Sequence, residues 1–268
     1  MPAAADPHPA PHPAPDRAPD RAVSPAAAAR AHDSVVRSAA HGPLPGLLLL
    51  LTVVTGAVDA VSILRLGRVF VANMTGNVVF IGFSLAGAPG FALGSSLAAL
   101  GGFLVGAAIG GRLVGHLRTD RAILLRAAVG LEFVLTAIAL VIALSVSSLA
   151  APAGRYSLAV LLAIAMGIQN AAARSLAVPD LTTTVLTMTL TGIAADVRDG
   201  GWRGPALWRR LLAVATMLGG ACAGALLVLH VGSGAALALP TVILGAVTLG
   251  AAAVVARDRG RWRYRSSP

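Results

Sequence analysis

Eight apolar runs set the pattern of this chain, at residues 46–64, 69–87, 91–115, 121–147, 156–175, 182–197, 207–231 and 236–256. Most reach the roughly 20 residues that a helix needs to cross the hydrocarbon of a bilayer. Two are interrupted by polar side chains: 69–87 carries Asn73, Thr75, Gly76 and Asn77, and 182–197 carries six threonines and ends near Asp196. These two are expected to be the weakest helices. The pattern predicts an all-α, polytopic membrane protein over residues 45–256, because a lipid-embedded backbone has to satisfy its own hydrogen bonds.

Arginine placement bears on how many runs cross, since short cytoplasmic loops collect basic residues. Arg17 to Arg37, Arg112 to Arg126, Arg198 to Arg210 and Arg257 to Arg265 should lie inside, whereas the links 87–90, 148–155 and 232–240 are nearly uncharged and should lie outside. Runs one and two must then cross once between them, and so must runs five and six. Six net crossings with a broken or re-entrant element in each half follow, with both termini in the cytoplasm of a bacterial inner membrane. Arg65, Arg68 and Arg174 fit either side, which leaves eight plain spans as the alternative.

An internal repeat divides the membrane region into 45–150 and 151–256. Leu100-Gly-Gly-Phe-Leu-Val-Gly106-Ala107 returns as Leu218-Gly-Gly-Ala-Cys-Ala-Gly224-Ala225, and Gly56-x-x-Asp59-Ala60 returns as Gly167-x-x-Asn170-Ala171. Asn73-Met-Thr75-Gly76 is echoed by Val185-Leu-Thr187-Met188. With three net crossings per half the second half enters from the opposite face, an inverted repeat of the kind found mainly in secondary transporters.

Composition narrows the class. The chain has 268 residues, 56% hydrophobic and 12% charged, with mean hydropathy +0.80, against about 25% charged in soluble domains. Its net charge of +10 sits in tails and between apolar runs, where it sets orientation and meets lipid, so nucleic acid is not an expected partner. Residues 1–44, with the His8-Pro9-Ala10-Pro11-His12-Pro13 texture, read as a disordered cytoplasmic tail without a metal site or signal peptide, and 257–268 as a basic tail. Cys222 is the one cysteine, excludes a disulfide or thiolate metal site within the chain, and is expected to pack as a small apolar residue. No Walker loop, His-Glu-x-x-His or Gly-x-Ser-x-Gly occurs, so neither an enzyme nor a cofactor is expected.

The motifs Gly56-Ala-Val-Asp59-Ala60, Phe70-Val-Ala-Asn73-Met-Thr75-Gly76-Asn77 and Gly167-Ile-Gln169-Asn170-Ala171 resemble those of the YoaK family of bacterial inner-membrane proteins, over about residues 45–256. The resemblance implies an integral membrane protein and brings no activity, substrate or cofactor. The family's second Thr-Thr-x-x-Thr-Gly motif is altered here, because Thr187 is followed by Met188, so a break in the second half would fall to Thr191-Gly192.

Asp59 is the leading candidate. A carboxylate at membrane depth costs about 2.5–3.5 kcal/mol on insertion scales, and it serves either as a proton or cation site or structurally, paired with Arg65 or Arg68 or capping a broken helix at the interface. Asn73, Thr75, Gly76 and Asn77 set amide and hydroxyl groups beside a glycine that permits unwinding, and Gln169, Asn170 and Thr187 hold the corresponding places in the second half. Glu132 is a second titratable candidate or an interfacial partner of Arg126 or Arg121. Gly102, Gly106, Gly110, Gly220 and Gly224 mark close helix packing, within the chain or in a homo-oligomer. The expected partners are the lipid bilayer and a small solute with a proton or cation, which makes the chain a secondary transporter; the alternative is a membrane scaffold or assembly protein.

Overall fold

The computed structural model describes residues 43–117, 120–145, 152–178, 186–198 and 205–257, so the tails at 1–44 and 257–268 lie outside the described residues except at their inner ends. The described residues form α1 Leu44–Arg65, α2 Met74–Leu85, α3 Leu93–Leu117, α4 Arg121–Ser145, α5 Pro152–Leu176, α6 Leu186–Arg198, α7 Pro205–His230 and α8 Ser233–Arg257. Each apolar run holds one helix. Six of them, all but α2 and α6, are long and apolar enough to cross a membrane. With 12 residues in α2 and 13 in α6, the short pair reaches about 18–20 Å against the about 30 Å of hydrocarbon, which rules against eight plain spans.

Local chemistry explains several helix ends. Asp120 caps α4, its Oδ1 accepting the Ala122 and Ile123 amides at 3.0 and 3.1 Å. The Arg121 guanidinium donates to the Leu176 carbonyl that ends α5, satisfying an acceptor left over by the helix. Within the helices, Thr52, Thr55, Thr241 and Thr248 donate to carbonyls four residues back. That bond lets a hydroxyl sit in apolar surroundings without an unmet donor.

α1 and α5 form the centre: 67% and 61% of their apolar stretches are buried, against 22% for α3 and for α7. Glycine makes the closest contacts. A Cβ on Gly56 of α1 would lie 2.7 Å from the Ala221 amide nitrogen of α7, and one on Gly167 of α5 would lie 2.7 Å from the Ala107 nitrogen of α3. In return, Gly220 and Gly224 face the backbones of Val53 and Ala57, while Gly106 and Gly110 face Ile164 and Ile168. A third seam joins α4 to α8, with Gly130 against Thr248 and Gly245 against Phe133.

These contacts pair Gly106 with Gly220 and Gly110 with Gly224. The sequence match of 100–107 with 218–225 is therefore displaced by one helical turn from the packing equivalence. A Gly-x-x-x-Gly stripe repeats every turn, so it matches itself after a four-residue slip. Gly102 also packs within the chain, 3.0 Å from the Val160 carbonyl if given a Cβ. All five packing glycines are thus covered by helices of the same chain, and a homo-oligomer through them is not available. Cys222, expected to pack as a small apolar residue, is exposed on α7, next to the Ala221 that faces α1.

Candidate functional site

After Arg65 the chain leaves the helix and turns through Gly67 at φ +100° and Arg68 at φ +56°. It then runs back so that its amides meet α1. Asp59 Oδ1 accepts the Val71 and Ala72 amides, each at 3.0 Å, and Oδ2 accepts the Asn73 side-chain amide. The carboxylate is 5% exposed. Its charge is spread over three donors and faces the start of α2, where the helix dipole favours an anion. Neither arginine nearby pairs with it: Arg65 donates instead to the Val228 carbonyl of α7, at 3.1 Å.

Asn77 fastens the same segment from the other side. Its Oδ1 accepts the Phe70 amide at 2.9 Å and its Nδ2 donates to the Phe70 carbonyl at 2.6 Å, a two-point grip on one residue's backbone. Gly76 clears room for that residue's ring, since a Cβ there would lie 2.5 Å from Phe70 Cδ2. The Phe70 ring stacks on Phe80 at 5.7 Å, and Phe80 meets Phe91 at 5.0 Å. The break in this run therefore falls at 66–73, ahead of Gly76, which sits in the first turn of α2. Glycine is needed here to admit an aromatic ring, not to unwind a helix.

In the second half, Gln169 donates to the Thr55 hydroxyl at 2.9 Å, a buried bridge between α5 and α1 one turn from Asp59. Asn170 is half-buried and donates to the Met166 carbonyl at 2.9 Å. The structure thus gathers Asp59, Asn73 and Asn77 around one segment and sets Gln169 beside them on the facing helix. Thr75 and Thr187, expected to line the site, are both exposed. Among the described residues the buried polar side chain of α6 is Thr189, two residues beyond Thr187. Gly192 does not break α6; a Cβ there would lie 2.8 Å from the Arg210 guanidinium carbon.

Glu132 is completely buried, while Arg126 is exposed and the Arg121 guanidinium reaches Leu176. Six residues along a helix turn a side chain about 120° away, so Arg126 and Glu132 point to different faces and the expected interfacial pair does not form. His116, His230 and Trp208 are exposed; Trp202, Trp262, Asp199 and the Asp196 side chain lie outside the described residues. Among the described residues no three metal-ligating side chains come together.

Comparison with known proteins agrees with the motifs. The chain is 36% identical over 151 residues to the UPF0700 transmembrane protein YoaK of Bacillus subtilis (strain 168), a match covering 56% of this chain and 66% of that relative. No solved structure matches. The family model described as "Protein of unknown function (DUF1275)" matches residues 47–250. The chain, a multi-pass helical membrane protein, belongs to this family, the YoaK-like DUF1275 proteins.

Proposed function

We propose that this protein is a secondary transporter or permease of a small solute, built from inverted halves at 45–150 and 151–256, with Asp59 as its proton or cation site. The reciprocity of the seams carries this reading. The first helix of each half packs on the third helix of the other through matched glycines, and the two fourth helices meet through a matched pair, Gly130 and Gly245. A short helix interrupts each half. Such interruptions between repeats are where transporters place their sites.

In this mechanism Asp59 couples ion to movement by holding segment 66–73. The ionised carboxylate attracts the Val71 and Ala72 amides and the Asn73 side chain. A proton or a bound cation takes that negative charge for itself, weakens all three bonds together and frees the segment. Asn73, Asn77, Gln169 and Asn170 then offer polar contacts to solute between the halves, with Glu132 as a second titratable group. Arginine distribution supports the cytoplasmic placement of both termini in a bacterial inner membrane.

Purified protein in proteoliposomes containing a pH-sensitive dye, challenged with small neutral, anionic and cationic solutes in the presence and absence of sodium, tests the reading. Solute-dependent proton or sodium movement is expected from the wild type and should vanish in Asp59→Asn. Flux that survives the substitution removes Asp59 from the mechanism. A scaffold role is the second reading, favoured by Gly101, Gly111 and Gly115, which have nothing within 4 Å on the outer face of α3. Absence of flux together with a stoichiometric partner crosslinked in membranes decides for it.

A further inference from the structure

At the end of the bundle where α1 finishes and α3 and α5 begin, a pocket of about 620 Å³ is lined by Arg65, Arg68 and Arg155 together with Ser95 and Tyr156. Among the described residues no acidic side chain lines it. Along the sequence no Asp or Glu occurs between Asp59 and Asp120 or between Glu132 and Asp180. Asp59, the acid closest along the chain to Arg65, is already engaged by segment 71–73. Guanidinium groups stay charged at any physiological pH. Three of them line one cavity, Arg65 also donating to the Val228 carbonyl, and an anion placed there meets positive charge from three elements of the chain.

The placement of Arg68 is specific. Its backbone is left-handed at φ +56°, a conformation that side chains other than glycine seldom adopt. Gly90, itself at φ +87°, gives the guanidinium its resting place, since a Cβ there would lie 2.9 Å from Arg68 Nη1. Among the described residues Arg68 makes no hydrogen bond or ion pair within the protein. The remaining polar groups of the lining also suit an anion: the Ser95 and Tyr156 hydroxyls can donate as the guanidinium groups do. Arginine forks match the oxygens of phosphate and carboxylate in two-point contact. The volume lies within the about 300–1,000 Å³ usual for small-molecule sites.

The geometry points to an oxyanion-binding site here, in which Arg65, Arg68 and Arg155 grip a phosphate or carboxylate group. This site stands whether or not the protein transports. Two sources share the chemistry: a free organic anion and the headgroup of an anionic lipid. Isothermal titration of the detergent-purified protein with inorganic phosphate and with citrate, at low ionic strength, should show binding. Arg68→Gln and Arg155→Gln should each weaken it at least tenfold, and Arg112→Gln, an exposed arginine of α3 outside this pocket, should leave it unchanged. Repeating the titration in phosphatidylcholine nanodiscs with and without phosphatidylglycerol separates the sources, because a lipid headgroup competes with the soluble anion and a free solute site ignores it. Both outcomes support the site. Binding that persists in a folded Arg68→Gln protein, or no binding of either anion and no preference for phosphatidylglycerol, overturns it. Gel filtration and circular dichroism establish that the variants fold; should Arg155→Gln fail, Arg68→Gln decides alone.

Discussion

Asp59 on α1 and Asn170 on α5 each follow by three residues the glycine, Gly56 or Gly167, that lets its helix touch its partner. The glycine contacts around them are alike: Gly56 meets α7 as Gly167 meets α3. The polar residues differ. Asp59 holds three donors of the segment that follows its helix with a carboxylate, whereas Asn170 offers a neutral amide, whose nitrogen donates to the Met166 carbonyl as one of its contacts. Packing is duplicated and charge is not. Close backbone contact asks only for absent side chains, which both halves supply, while a carboxylate three residues after the packing glycine stands only in the first half.

The sharpest way to break the comparison is to block the seams. Gly106→Leu and Gly220→Leu each push a side chain into a facing backbone, and each should cost about 3 kcal/mol or more. The reading is loss of monodisperse protein on detergent extraction, and survival of one variant alone would show the seams to be unequal. Asp59→Ala strands the Val71 and Ala72 amides and should cost about 2–4 kcal/mol, against about 1 kcal/mol for Asn170→Ala. Thermal unfolding in detergent measures both, and equal losses would erase the asymmetry. Between the halves, a double-mutant cycle of Thr55→Val and Gln169→Leu should give a coupling of about 0.6–1.7 kcal/mol. The smallest effect is expected at Gly101→Ala, within about 0.5 kcal/mol because that glycine meets nothing, while its neighbour Gly102→Ala should be clearly destabilising.

The helices were legible because apolar length is a direct physical demand of the bilayer, and each of the eight runs holds one. The shortness of α2 and α6 was legible in the polar residues that interrupt them. The grip on segment 66–73 was legible only in outline, as Asp59 capping a broken helix, and its partners were not. It depends on the chain doubling back, which sets Val71 and Ala72 against a residue 12 and 13 positions earlier, and no periodicity records that. Gly76 misled because a glycine in a polar run signals a break, whereas its use here is set by the Phe70 ring. Thr75 and Thr187 misled because polar side chains two residues apart along a helix face nearly opposite surroundings: Asn77 and Thr189 are inside. Glu132 was paired with Arg126 by closeness in sequence, which helical rotation undoes.

Because each central helix packs on a helix of the other half, α1 is made long before its partner exists. Met217, whose carbonyl faces Gly56, follows it by about 160 residues, roughly ten to thirty seconds of synthesis at about 5–20 residues per second. Through that interval the glycine face of α1 has only lipid or the membrane-insertion machinery to meet. Its carboxylate, by contrast, finds its donors within a dozen residues. Asp59 is thus hydrogen-bonded early, so α1 can wait in the bilayer with its carboxylate already satisfied and only its packing unfinished.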